Sequence, residues 1–70
     1  MTERVTFTAV DLDQQVILGV YDSQDEAVER VHREGESIPL APGQLRELGV
    51  VIQSEGREPC LLPMTVAHDA

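Results

Sequence analysis

The sequence predicts an α+β fold, a small antiparallel sheet of about four strands with one helix packed on one face, in the order β-β-α-short helix-β-β. Three observations predict it. The stretch "VTFTAV" from Val5 alternates apolar and polar residues with the period of two expected of a half-buried strand. The stretch "SQDEAVERVHREG" has a helix start and a helix stop written at its ends. The runs "VVIQS" and "PCLLPMTV", separated by the polar turn "EGRE", read as a second pair of strands.

In the first strand Val5, Phe7 and Ala9 share one face, and Thr6 and Thr8 share the other. "DLDQQ", Asp11 to Gln15, is a polar turn rich in the Asp that turns favour, and "VILGVY" follows as the second strand of a hairpin. Gly19 inside that strand marks a bulge or the close approach of another group. Ser23 followed by Glu26 is a capping box, in which each side chain satisfies an amide that the helix start leaves without a partner. The helix therefore begins at Gln24. Asp25 and Glu26 lie at the positive end of its dipole, Arg30, His32 and Arg33 near the negative end, and Gly35 is the expected left-handed stop. Glu26 with Arg30 and Glu29 with Arg33 form i, i+4 pairs in the favourable order. Ala27, Val28 and Val31 make a narrow apolar stripe, which places the helix against one face of the sheet only.

Pro39 and Pro42 keep the next segment extended as a connector. "PGQLRELG" is expected to form one or two helical turns, with Pro42 at its start, Leu45 and Leu48 three apart on one side, and Gly49 as its stop. "VVIQS" and "PCLLPMTV" complete the sheet, and Pro63, which has no amide to donate, belongs on an edge. The tail, 66–70, reads as frayed, and the whole of 1–70 as a single small domain. The second face of such a sheet collects Thr6, Thr8, Ile17, Tyr21, Val51, Gln53 and Leu61. Ile17, Tyr21, Val51 and Leu61 leave it partly apolar, the kind of patch that marks an interface. Either a second copy of the chain hides it, or sheet twist and the proline-rich connector do.

A chain of 70 residues buries only about 60% of the surface its unfolded form exposes, so its core needs support. One cysteine, Cys60, cannot close an internal disulfide; a lone thiol fits a reducing, cytoplasmic setting, and oligomerisation is the remaining staple. The start of the chain lacks a signal-peptide pattern, and no stretch approaches the roughly 20 apolar residues of a membrane span. Thirteen Asp and Glu against five Arg give a formal charge of −8, which repels nucleic acid phosphates and anionic membranes. The partner that such a charge suits is a protein with a basic surface.

The residues that could carry chemistry are few. Cys60 and His68 are a nucleophile and a base in type, but Cys60 sits in an apolar strand, where cysteine behaves as a small buried hydrophobe. Asp11 and Asp13 resemble the start of a calcium loop, yet Val16 and Asp22 stand where that loop needs Gly and Glu. His32 has no second ligand at helical spacing other than Glu36, and a surface histidine stabilised by the helix dipole accounts for it. No glycine-rich phosphate loop is present. The expectation is a chain with no enzymatic activity, no cofactor and no metal.

The carboxylates remain. Asp22, Asp25, Glu26 and Glu29 gather at the helix start, and with Tyr21 they form the candidate partner-binding site; Ile17, Val51 and Leu61 form the candidate dimer face. Spaced acidic groups imitate the phosphates of a nucleic acid and can occupy a basic groove on another protein. In length, acidity and lack of catalytic residues the chain resembles the small inhibitor proteins that phages deploy against bacterial defence systems, anti-CRISPR proteins included. That resemblance of size and charge implies an inhibitor docked on a nucleic-acid-binding surface. The other expectation is a structural or regulatory homodimer whose acidity serves solubility alone.

Overall fold

The computed structural model describes residues 4–67. Its elements are β1 (Val5–Asp11), β2 (Val16–Tyr21), α1 (Gln24–Ser37), β3 (Leu45–Ser54) and β4 (Cys60–Ala67). The four strands form one antiparallel sheet in the order β2-β1-β3-β4. Because β2 and β3 both run antiparallel to β1 and flank it, α1 carries the chain across one face of the sheet between them. It packs over β1, β2 and β3 there. Pro63 lies in the edge strand β4, where a missing amide costs no pairing on the open side.

The helix starts where its cap is written. Ser23 is extended at φ −128° and ψ 148°, and its hydroxyl accepts the Glu26 amide at 3.3 Å. Its end differs from the expected glycine stop. Gly35 is helical and the helix runs to Ser37, where the Ser37 hydroxyl and the Ile38 amide both donate to the Glu34 carbonyl, at 2.9 and 3.1 Å. Pro39 holds Ile38 extended at φ −80° and ψ 122°, and this terminates the helix. A Cβ at position 35 would stand 2.8 Å from Cγ2 of Val66, so the glycine lets the helix approach β4. Gly35→Ala gains helix propensity but forces a methyl group against a stiff β-branched side chain. We expect a net loss of about 1–3 kcal/mol in urea unfolding; a gain would mean that Val66 yields freely.

With the helix extended, its last turn holds Glu34 and Glu36 and no basic residue. Arg30 accordingly turns forward to Glu34 at 3.1 Å instead of back to Glu26, while Arg33 meets Glu29 at 2.7 Å as its spacing predicts.

The expected short helix over "PGQLRELG" is instead a turn followed by the start of β3. Pro42 and Gly43 occupy the centre of the turn, closed by the Gln44 amide donating to the Ala41 carbonyl at 3.0 Å. Gly43 has φ +84°, as the third residue of a type II turn requires. From Leu45 the chain alternates between faces for ten residues, pairing with β4 over Leu45 to Ile52 and with β1 over Leu48 to Ser54. Sheet pairing outweighs the high helix propensity of Leu, Arg and Glu, and Leu45 and Leu48, three apart, fall on opposite faces. Val66 and Ala67, expected to fray, close β4 against Arg46 and Leu45; positions 68–70, with His68, lie outside the described residues.

Ala9, Ala27, Val31, Leu48 and Val50 are the buried core, with Phe7, Leu18, Tyr21, Val28, Ile52, Leu62 and Met64 among the half-buried side chains packed around it. The core lies between α1 and the middle strands. Asp11, which continues the inward parity of Val5, Phe7 and Ala9, is also buried, at 2% exposure. It belongs to no solvated turn: its Oδ1 accepts the Gln14 amide at 3.1 Å, and its Oδ2 accepts Nε and Nη2 of Arg46 at 3.3 and 3.0 Å. Asp13 accepts the Glu47 amide at 3.1 Å, so two aspartates of the hairpin tie it to β3.

Candidate functional site

The candidate residues at the helix start divide into an exposed rim and a cleft. Asp22 and Asp25 are exposed on either side of the Ser23 cap. Glu26 and Glu29, one helical turn apart on α1, line a shallow cleft of about 180 Å³ together with Tyr21, Arg30 and Arg33. The cleft forms because Tyr21, the last residue of β2, turns toward the helix layer and packs against the core. Its ring lies over Gly19, close enough that a Cβ there would clash with it. Four carboxylates and one phenol thus meet at one end of the helix, with Arg33 bound to Glu29 among them.

This position of Tyr21 corrects the expectation that it shares the second sheet face with Ile17. Residues 17 and 21 would share a face in a regular strand, but the pairing of β1 with β2 shifts between Ala9 and Val10. Ala9 opposes Gly19 and Val10 opposes Ile17, which leaves Leu18 as an extra residue bulged from β2. Beyond the bulge every residue changes sides: Leu18 and Tyr21 pack inward, while Ile17 and Val20 point outward. The signal was present in Gly19, a residue type that often accompanies bulges.

The outer face consequently has Val20 where Tyr21 was expected. The register aligns Val20, Thr8, Val51 and Leu61 in one row across all four strands, and Ile17, Val10, Gly49 and Pro63 in the next. Ile17, Val51 and Leu61, the candidate dimer residues, are therefore together on one face, with Ile17 66%, Val20 60% and Leu61 46% exposed. At the hairpin end, Leu12, Val16 and Ile17 line a mainly apolar groove of about 330 Å³ with Val10, Val51, Asp11 and Gln15.

Charge and apolar surface are segregated by this architecture. Asp22 and α1 together hold six carboxylates against Arg30 and Arg33, a net −4 out of the chain's −8. These two rows hold no charged residue, and Glu47, exposed on the same side of β3 as Gly49 and Val51, stands in the row beside them.

Cys60 opens β4 opposite Ile52 and is exposed, not the buried small hydrophobe its neighbours suggest, because edge position and the adjacent turn leave it uncovered. Among the described residues no group of three or more His, Cys, Asp and Glu side chains is placed to hold a metal ion. No helix among them is long and apolar enough to cross a membrane. The chain matches no family model, no curated protein and no solved structure.

Proposed function

We propose that the chain is a small, non-enzymatic protein-binding module that acts inside the cell by docking the acidic end of α1 on a basic surface of a partner protein. The observation that carries this reading is the convergence of Tyr21, Glu26 and Glu29 on one exposed cleft, which Arg30 and Arg33 also line and which Asp22 and Asp25 flank to leave the helix start net acidic. Such a surface steers a cationic partner from a distance, and the tyrosine offers a rigid, amphipathic contact once the surfaces meet. Arg30 and Arg33 orient the carboxylates of Glu34 and Glu29 without cancelling the net charge of the helix. In its sharpest form the module is an inhibitor that fills a nucleic-acid groove, its carboxylates standing where phosphates would.

Charge reversal of Asp25, Glu26 and Glu29 together tests the reading, with Asp25→Asn, Glu26→Gln and Glu29→Gln as a neutral set that spares the helix from three cations at its positive end. The chain is immobilised, a host lysate is passed over it, and bound protein is released by salt. We expect the wild type to retain a basic protein that elutes as salt rises, the neutral set to retain less, and the reversed set to retain none. All three should keep the same circular dichroism. Capture indifferent both to salt and to these substitutions would sink the proposal, as would capture of acidic proteins only.

A further inference from the structure

We propose that the partner presents an extended segment, basic and apolar residues alternating along it, that adds to the open edge of β2 as a further strand of the sheet. The inference rests on the docking reading above and names what the partner brings to it.

β2 and β4 are the two edges of the sheet. β4 carries Pro63, which has no amide to give to an added strand. β2, Val16 to Tyr21, has neither proline nor charge, the residue kinds that keep an edge from pairing. Its bulge at Leu18 bends the strand, but Gly19, Val20 and Tyr21 beyond it pair with Ala9, Thr8 and Phe7 without a further shift. Among the described residues their backbone pairs with β1 alone, so the donors and acceptors on the outer side of β2 are left for another strand.

The two faces beside that edge differ, and the difference selects the occupant. Tyr21 turns toward the helix layer and shares its cleft with Glu26. Glu29 is bound to Arg33 and Glu34 to Arg30, but Asp22, Asp25 and Glu26 are exposed and make no ion pair among the described residues. Side chains of a strand alternate between faces. A residue opposite Gly19 or Tyr21 would stand on the helix side near these carboxylates, where a cation gains charge-assisted hydrogen bonds and the Tyr21 ring. A residue opposite Val20 would stand on the outer face, where Val20 and Ile17 are 60% and 66% exposed and offer apolar contact. A second copy brings the wrong charge to this edge. Two chains joined along β2 would hold their helices side by side on the order of 15 Å apart, from strand spacings of about 4.8 Å, within about two Debye lengths. Each helix with its Asp22 carries a net −4.

The probe is a capped synthetic peptide of about eight residues in which arginine and valine alternate, added to the full chain and followed by amide NMR and hydrogen exchange. Binding should slow exchange within Gly19 to Tyr21 and not along β4. In an added strand successive N–H groups point to opposite sides, so only every second one meets β2. Two further peptides are N-methylated, one at its arginines and the other at its valines. One of them should bind as the parent does and the other about tenfold more weakly, the loss of one or two hydrogen bonds. Asp22→Asn combined with Glu26→Gln should weaken the parent peptide about tenfold at low salt, with unchanged circular dichroism. Equal binding by the two methylated peptides overturns strand addition, as does exchange slowed along β4 instead. If that binding still needs Asp22 and Glu26, docking on the acidic end stands without the strand. Binding by no peptide also overturns strand addition, and salt-dependent capture from the lysate then judges the docking reading by itself.

Discussion

Replacing Arg46 by Leu is expected to destabilise the chain by about 3 kcal/mol, the lower part of the range for leaving a buried charge without its partner. Arg46 supplies both long-range hydrogen bonds that reach the Asp11 carboxylate, and the Asp11 side chain is only 3% exposed. Without the guanidinium, the carboxylate keeps one local bond, from the Gln14 amide, and faces Leu48 and Met64 on its own side of the sheet. The reverse deletion should be milder. In Asp11→Asn the amide oxygen still accepts a hydrogen bond, and the Arg46 side chain, 21% exposed, reaches water, so a loss of about 1–2 kcal/mol is expected. Urea unfolding of the two single variants, and of Asp11→Leu with Arg46→Leu combined, decides the matter. The double variant should recover much of what Arg46→Leu loses. Equal costs for the two single variants would mean that Asp11 is not held as a desolvated charge.

Leu48→Ala is expected to cost about 2–5 kcal/mol, the range for removing a large buried aliphatic side chain and leaving a cavity. Leu48 is fully buried in β3 between Asp11 of β1 and Met64 of β4, and it is the largest of the fully buried side chains. A domain of this size has a total stability of roughly 4–10 kcal/mol. Leu48→Ala should therefore leave a substantial unfolded population at room temperature, read as a shortened or missing native baseline in urea. Leu45→Ala is the internal control. Leu45 was paired with Leu48 in the helical reading, but it lies 65% exposed on the opposite face and should cost less than about 1 kcal/mol. Similar costs at the two positions would contradict the strand assignment of this segment.

These two cases also mark where sequence reasoning reached and where it stopped. The period of two in β1, the Ser23 cap, the narrow stripe of Ala27, Val28 and Val31, and the edge position of Pro63 were legible because each depends on a few neighbouring residues. Leu45 to Gly49 was not: its local signals favour a helical turn, and the strand exists because β4 pairs along all of it and β1 joins from Leu48 onward. Gly35 reads as a helix stop in the sequence, and only the position of Val66 shows that it serves a close contact inside the helix instead. The acidic end of α1 was likewise legible as a run of carboxylates after a cap. That Tyr21 joins Glu26 and Glu29 in one cleft, instead of lying beside Ile17, depends on one extra residue at Leu18. A bulge reverses the parity of everything beyond it, so a single unpaired residue exchanged Tyr21 for Val20 on the outer face.

Sequence alone determined the class of fold, the start of the helix, the acidity and its concentration around α1, because propensity, capping and charge are properties of residues and their near neighbours. Tertiary structure decided the strand order, the bulge, the burial of Asp11 against Arg46 and the placing of Tyr21 in the acidic cleft instead of on the outer sheet face. Those features are set by pairing between segments distant in the chain, such as Asp11 with Leu48 and Leu48 with Met64, and no local pattern encodes which segment lies opposite which.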